Sequence, residues 1–257
     1  MNLLIISAVA CLASFLTLFS GFGLGTILMP VFAIFFALPT AIALTAIVHF
    51  LNNLFKLILL GRHADPKVVW QFGAPAILAA VAGAKFLLAL EGISPLWTYH
   101  LGQKEFSITT VKILVAFVMI IFVLLETLPR FQSLAFDRKF LVWGGCLSGF
   151  FGGLSGHQGA LRSVFLIKCG LSKESFIASA VTIACLVDIS RLYVYWNHFS
   201  TTGFSNDKFI LGAAIWSAFL GTFLGNRLVP KITLRFVQLS VVVMLFVLAA
   251  LLASGMI

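Results

Sequence analysis

Long, nearly uninterrupted apolar runs constrain this chain more than any other feature. They fall at about 2–20, 26–37, 40–60, 68–90, 107–128, 140–152, 160–169, 175–197, 208–226 and 234–256. Most reach the roughly 20 residues that an α-helix needs to cross a bilayer. The 257 residues are 61% hydrophobic and only 10% charged, and the mean hydropathy is +1.12. A soluble domain carries about 45–50% apolar and about 25% charged residues. A soluble enzyme, a nucleic-acid-binding domain and a disordered regulator are thereby excluded, despite a net charge of +9. The runs are continuous rather than alternating, which argues against a transmembrane β-barrel. The expectation is an all-α polytopic membrane protein whose medium is the lipid bilayer, with no nucleic-acid partner.

The runs 26–37 and 160–169 are too short to cross a core of about 30 Å as helices. Each follows a glycine-rich break, Ser20-Gly21-Phe22-Gly23-Leu24-Gly25 in the first half and Gly152-Gly153-Leu154-Ser155-Gly156-His157-Gln158-Gly159 in the second. Turn signals close both, Leu38-Pro39-Thr40 and Gly170-Leu171-Ser172-Lys173, and a long run then follows. An offset of about 134 residues superposes Gly25 on Gly159, and one inserted residue brings Asn53 onto Asp188 and Lys56 onto Arg191. The layout predicts two repeats, 1–130 and 131–257, within one integral membrane domain.

Loop charges bear on topology, because Lys and Arg accumulate on the cytoplasmic side. If each broken helix crossed once, the loop cations would divide six against six. If each enters and returns, Arg62, Lys67, Arg130, Arg138, Lys139, Lys168, Lys173, Arg227, Lys231 and Arg235 share a side against Lys104 and Lys208. Ten against two is the expected bias. The re-entrant arrangement makes the halves inverted repeats, each with a broken re-entrant helix pair plus three transmembrane helices. Such inverted pairs of broken helices are typical of secondary transporters. Met1-Asn2-Leu3 lacks the basic start of a signal peptide, so the first run is expected to stay in a multi-pass protein of the cytoplasmic (inner) membrane.

Ionisable groups at bilayer depth are functional candidates by default. Lys85 and Lys112 lie near segment ends, where long side chains snorkel to the interface. His49, Asn52, Asn53 and Lys56 fall at i, i+3, i+4 and i+7, on one helical face. They line either a cavity or an interhelical polar seam. Asp188 and Arg191, at i and i+3, either pair with each other or serve a solute. Asp188 and His49 are the candidates for proton coupling. Arg162 sits in the first turn of the short helix after Gly159, where unpaired N–H groups and the dipole favour an anion. Its guanidinium grips oxyanions with two donors. Gly156, Gly159, His157 and Gln158 surround it in sequence, and Gly23, Gly25 and Thr26 occupy the matching turn of the first half. Lys56, Arg162 and Arg191 against Asp188 alone leave a positive surplus, which points to a small anionic substrate. The four cysteines show no CxxC spacing, and no metal, cofactor or nucleophile–base set is expected, so the chain is read as no enzyme. The alternatives weighed are an anion channel, a subunit of a larger complex and an intramembrane enzyme using His157, Asp188 or a cysteine. Homo-oligomer formation is compatible with the sequence.

These features resemble the sulfite exporter TauE/SafE family of bacterial permeases. The resemblance is carried by the duplicated unit and its openings, Gly21-Phe22-Gly23-Leu24-Gly25-Thr26-Ile27-Leu28-Met29-Pro30 and Gly153-Leu154-Ser155-Gly156-His157-Gln158-Gly159-Ala160-Leu161-Arg162. The helix from Ala41 to Asn53 follows the first of them. It implies transport of small sulfur-containing anions such as sulfite, sulfoacetate or thiosulfate. His157-Gln158, Arg162 and Val164 depart from the pattern usual in the second copy of that family.

Overall fold

The computed structural model describes residues 24–202, 208–228 and 234–257, together with 4, 7–12, 14 and 15. Residues 7–12 and 14–15 are helical. From there the order is α1 (Leu24–Ala33), α2 (Leu38–Leu60), α3 (Pro66–Glu91), β1 (Trp97–Leu101), β2 (Lys104–Ile108), α4 (Thr110–Thr127), α5 (Leu141–Ser155), α6 (Gly159–Leu166), α7 (Lys173–Thr202), α8 (Lys208–Leu228) and α9 (Leu234–Ala253). Among the described residues, the segments Leu38–Ile58, Pro66–Glu91, Thr110–Thr127 and Lys173–Trp196 are long and apolar enough to cross a membrane. Large apolar side chains such as Ile58, Trp70, Leu78, Phe117, Trp143 and Trp196 point outward from the bundle, which suits a lipid surround rather than water. The chain is a helical membrane protein.

Local chemistry sets the helix starts. Asp65 Oδ1 accepts from the N–H groups of Lys67 (2.9 Å) and Val68 (3.0 Å) at the head of α3, and Pro66 needs no partner there. Thr109 Oγ1 does the same for Lys112 at the head of α4, at 3.3 Å. The sequence did not foreshadow the antiparallel hairpin β1–β2, which joins α3 to α4 and pairs Trp97 with Ile108 and Tyr99 with Phe106. Gly102 turns it at φ 64°.

Close backbone contact holds α3 to α5. A Cβ on Gly145, Gly149 or Gly153 would run into the carbonyl oxygens of Phe72, Ala76 and Ala80 respectively, and one on Gly83 would meet that of Phe150. Small residues at four-residue spacing allow two helices to approach this closely inside lipid. A second such approach brings Gly221 of α8 against the backbone of Cys11.

The short helices occupy the middle of this frame. At 1.5 Å per residue, α1 and α6 extend about 15 Å and 12 Å, half a bilayer core at most. Chain direction reverses between α5 and α6. Phe165 of α6 comes back to Gly144 near the start of α5, and Ser148 Oγ donates to Gln158 O at 3.0 Å. At the open end of this helical hairpin, Phe136 N–H donates to Val164 O (3.1 Å) and Lys168 lies 3.8 Å from Asp137. Asp65 N–H donates to Ser179 Oγ (2.9 Å) towards the same end. At the opposite end Tyr99 donates to Ser254 O (2.8 Å), and Lys112 Nζ reaches Ser107 O (3.1 Å) and Gly255 O (3.3 Å). Lys112 thus ends among carbonyls at the rim of the bundle, and Lys85 is exposed.

Candidate functional site

The break between α5 and α6 lies against the head of α1 and against α7, and its Gln158 reaches a carboxylate on which α2 and α7 also converge. Asp188, fully buried on α7, receives on Oδ1 the Nε (3.0 Å) and Nη2 (2.7 Å) of Arg191 and the Nε2 of Gln158 (3.2 Å). Its Oδ2 lies 2.6 Å from His49 Nδ1 on α2, 139 residues away. The Asn53 amide nitrogen sits 3.1 and 3.2 Å from the two ring nitrogens of His49. The i, i+3 spacing of Asp188 and Arg191 does bring them together as a pair. His49 and Asp188, candidates on separate halves, meet directly.

Arg191 has a second task. Its Nη1 donates to Gly152 O at 3.2 Å, and Tyr195 donates to Gly153 O at 2.6 Å. These are carbonyls of the last turn of α5, the negative end of its dipole. The chain then leaves α5 through Gly156 at φ 83°, where a Cβ would stand 2.9 Å from Arg191 Nη1. Only glycine gives both the left-handed turn and the room for that guanidinium.

With the carbonyl end covered, the opposite polarity remains at the head of α6. Gln158 stands at its N-cap position without capping it, because that side chain spans Asp188 and Arg162 instead. Arg162 Nη1 donates to Gln158 Oε1 at 3.3 Å. Among the described residues Arg162 Nε is buried without a hydrogen-bond partner, and so is Nε2 of His157, whose Nδ1 lies 3.0 Å from Ser155 Oγ. The His157 ring packs against Phe122 of α4, with centroids 5.4 Å apart. Lys56 is half-buried and lies within electrostatic reach of Arg162. Among the described residues neither Lys56 nor Arg162 forms an ion pair. Two partly buried like charges are thus held within electrostatic reach of each other.

The remaining candidates divide by position. Asn52 and Asn53 are buried on the face of α2 that carries His49. Gly25 and Thr26 are buried in the first turn of α1, and a Cβ on Gly25 would stand 3.0 Å from Gly156 O, so the heads of the two breaks touch. Gly159 has open space around its Cα. Gly23 lies outside the described residues. Sequence reasoning placed Gly152 in the break but missed Ser148 and Phe122, which brace it; neither of these carries a charge that would mark it inside an apolar run.

The family model described as Sulfite exporter TauE/SafE matches residues 6–252, nearly the whole chain. A search of curated proteins finds no match.

The Asp188 cluster predicts non-additive stabilities. Arg191→Met leaves a buried carboxylate short of a partner and is expected to cost about 3–5 kcal/mol. The double variant Asp188→Asn/Arg191→Met removes both charges and is expected to regain part of that loss. Thermal unfolding of the purified protein and both variants checks this; strictly additive losses would contradict it.

Proposed function

The chain belongs to the sulfite exporter TauE/SafE family, and from that premise we propose that it is a permease for small sulfur oxyanions or organosulfonates of the sulfite, sulfoacetate and thiosulfate type. Arg162 carries the reading. It is a half-buried guanidinium in the first turn of α6 whose Nε is buried and, among the described residues, unpartnered. Beside it stand uncapped backbone N–H groups and a second cation, Lys56. Helix N-termini aimed at an anionic group near mid-membrane are a recurring device of transporters built from broken helices. Gly156 and Gly159 let the backbone come close to the solute. Gln158, His157, Asn52 and Asn53 orient it, and Gly25, Thr26 and Gly23 supply the first-half side of the site. Arg191 serves the anion indirectly, by covering the carbonyls of α5 and neutralising Asp188.

Transport proceeds by alternating access between inverted halves, 1–130 and 131–257. Supporting this, Leu24 to Gly159 and Leu38 to Lys173 are each 135 residues apart, so α1–α2 and α6–α7 share a layout. The close packing of α3 on α5 has a counterpart in α8 on the helical segment containing Cys11. The return of α6 towards the start of α5 fits a re-entrant pair. The end carrying Arg62, Arg138, Lys139 and Lys168 is cytoplasmic by its positive charge, and the protein is multi-pass in the cell membrane.

Arg162→Gln is expected to weaken thiosulfate or sulfite binding by about tenfold to a hundredfold, the loss that follows removal of a charged donor worth roughly 1.5–3 kcal/mol. Lys56→Gln should weaken it less. Titration of purified protein, with counterflow in proteoliposomes, measures both effects, and wild-type affinity in both variants would place the site elsewhere.

Topology is tested in a background without Cys11, Cys146, Cys169 and Cys185. Asp137→Cys and Lys168→Cys should react with an impermeant maleimide from the cytoplasmic side, and Gly102→Cys from outside. Labelling of 137 and 168 from opposite sides would overturn the re-entrant arrangement.

A further inference from the structure

We infer that the His49–Asp188 pair is a proton-binding site linked to the anion site, so that one proton bound at His49 accompanies each anion bound beside Arg162. The inference rests on the anion reading given above, and its grounds are geometric.

Asp188 Oδ1 is saturated by three donors, the Nε and Nη2 of Arg191 and the Nε2 of Gln158. These hold the group as a carboxylate, and its remaining oxygen lies 2.6 Å from the imidazole. His49 keeps 9% exposure, whereas Asp188 and Arg191 have none. The imidazole is therefore the member of the cluster that a proton from outside can reach. Imidazole is also the side chain whose ordinary titration spans about pH 5–8.

A continuous chain joins this pair to the anion site. Gln158 donates to Asp188 through Nε2 and accepts from Arg162 Nη1 through Oε1, at 3.2 and 3.3 Å. An anion held by Arg162 competes with Gln158 Oε1 for the same guanidinium. It also meets the negative charge of Asp188, which lies within electrostatic reach of Arg162. A proton on His49 Nε2, accommodated by turning the Asn53 amide so that its oxygen replaces the nitrogen now 3.2 Å away, makes the ring an imidazolium whose charge offsets Asp188 and lowers that repulsion. The transferred proton comes from water, ends on Nε2 and leaves Asp188 ionised throughout. Anion and proton then favour each other's binding by the same factor.

The other titratable and polar groups on the elements around the pair divide as follows. Asn52, Asn53 and Lys56 share the helix of His49. Cys185, Arg191 and Tyr195 come from α7, Arg162 from α6, and His157 and Gln158 from the break; α8, which also packs against α2, carries Lys208 and Arg227, and α1 carries no titratable side chain. His157 is the second imidazole nearby and the main competitor for the role.

The experiment measures binding of thiosulfate and of sulfate, both fully ionised across the range, to the full-length protein between about pH 5.5 and 7.5. Proton uptake on binding is followed with a pH dye in weakly buffered solution. Affinity in the wild type is expected to weaken about tenfold as pH rises across this range, with up to one proton taken up per anion. His49→Gln should abolish both the slope and the uptake, whatever its absolute affinity, and His157→Gln should retain them. Anion binding by the wild type without slope or uptake overturns the coupling and leaves the anion reading standing; this arm depends on no variant's folding. Slope and uptake that survive in His49→Gln, or vanish only in His157→Gln, overturn it equally. Failure of the wild type to bind either anion at any pH overturns both readings.

Discussion

A carboxylate with no exposure to solvent organises the centre of this protein. Inside a helical bundle an unpaired charge costs several kcal/mol, so whatever surrounds Asp188 must satisfy it. Arg191 does so from the same helix, Gln158 from the break between α5 and α6, and His49 from α2. Those contacts fix three separately folded elements with respect to one another. The same Arg191 reaches past the carboxylate to the last-turn carbonyls of α5. One charged pair therefore sets both the geometry and the polarity of the break.

That polarity determines what the site can hold. A broken helix exposes a carbonyl end and an N–H end to the same space, and the two would largely cancel. Here Arg191 and Tyr195 cover the carbonyl end. The N–H end of α6 is uncapped and carries Arg162, with Lys56 nearby. Under the anion reading, this arrangement presents donors to the solute and turns the carbonyls away from it. The glycine seam between α3 and α5 has a supporting part, because close backbone contact gives the break a rigid frame.

Much of the fold could be read from the sequence because lipid simplifies the problem. A span must be apolar for about 20 residues, so the runs at 40–60, 68–90 and 107–128 anticipated α2, α3 and α4 closely. The glycine cluster before the run at 160–169 pointed to the break between α5 and α6 for a similar reason, while Ser20 to Gly23 of the first cluster lie outside the described residues. The hairpin at 97–108 escaped notice, since five-residue strands outside the apolar runs carry little signal. The four-residue spacing of Gly145, Gly149 and Gly153 was legible as a packing face, but nothing in it named Ala76 and Ala80 as the partners. The i, i+3 spacing of Asp188 and Arg191 allowed a pair but left service to a solute equally open. The His49–Asp188 contact spans 139 residues and depends on how the two halves meet, which periodicity within one helix cannot convey. For Arg191 the residue type suggested a ligand for a solute; only its neighbours show that its donors go to Asp188 and Gly152.

The central claim is that the head of α6 holds the anion. Anomalous diffraction at the selenium edge from crystals grown with selenate, a heavy analogue of sulfate, tests it most directly. The account predicts a selenium peak within hydrogen-bonding distance of the Arg162 guanidinium, near Lys56 and the backbone N–H groups that open α6. A peak elsewhere in the bundle, or none beside Arg162 at saturating selenate, would contradict it.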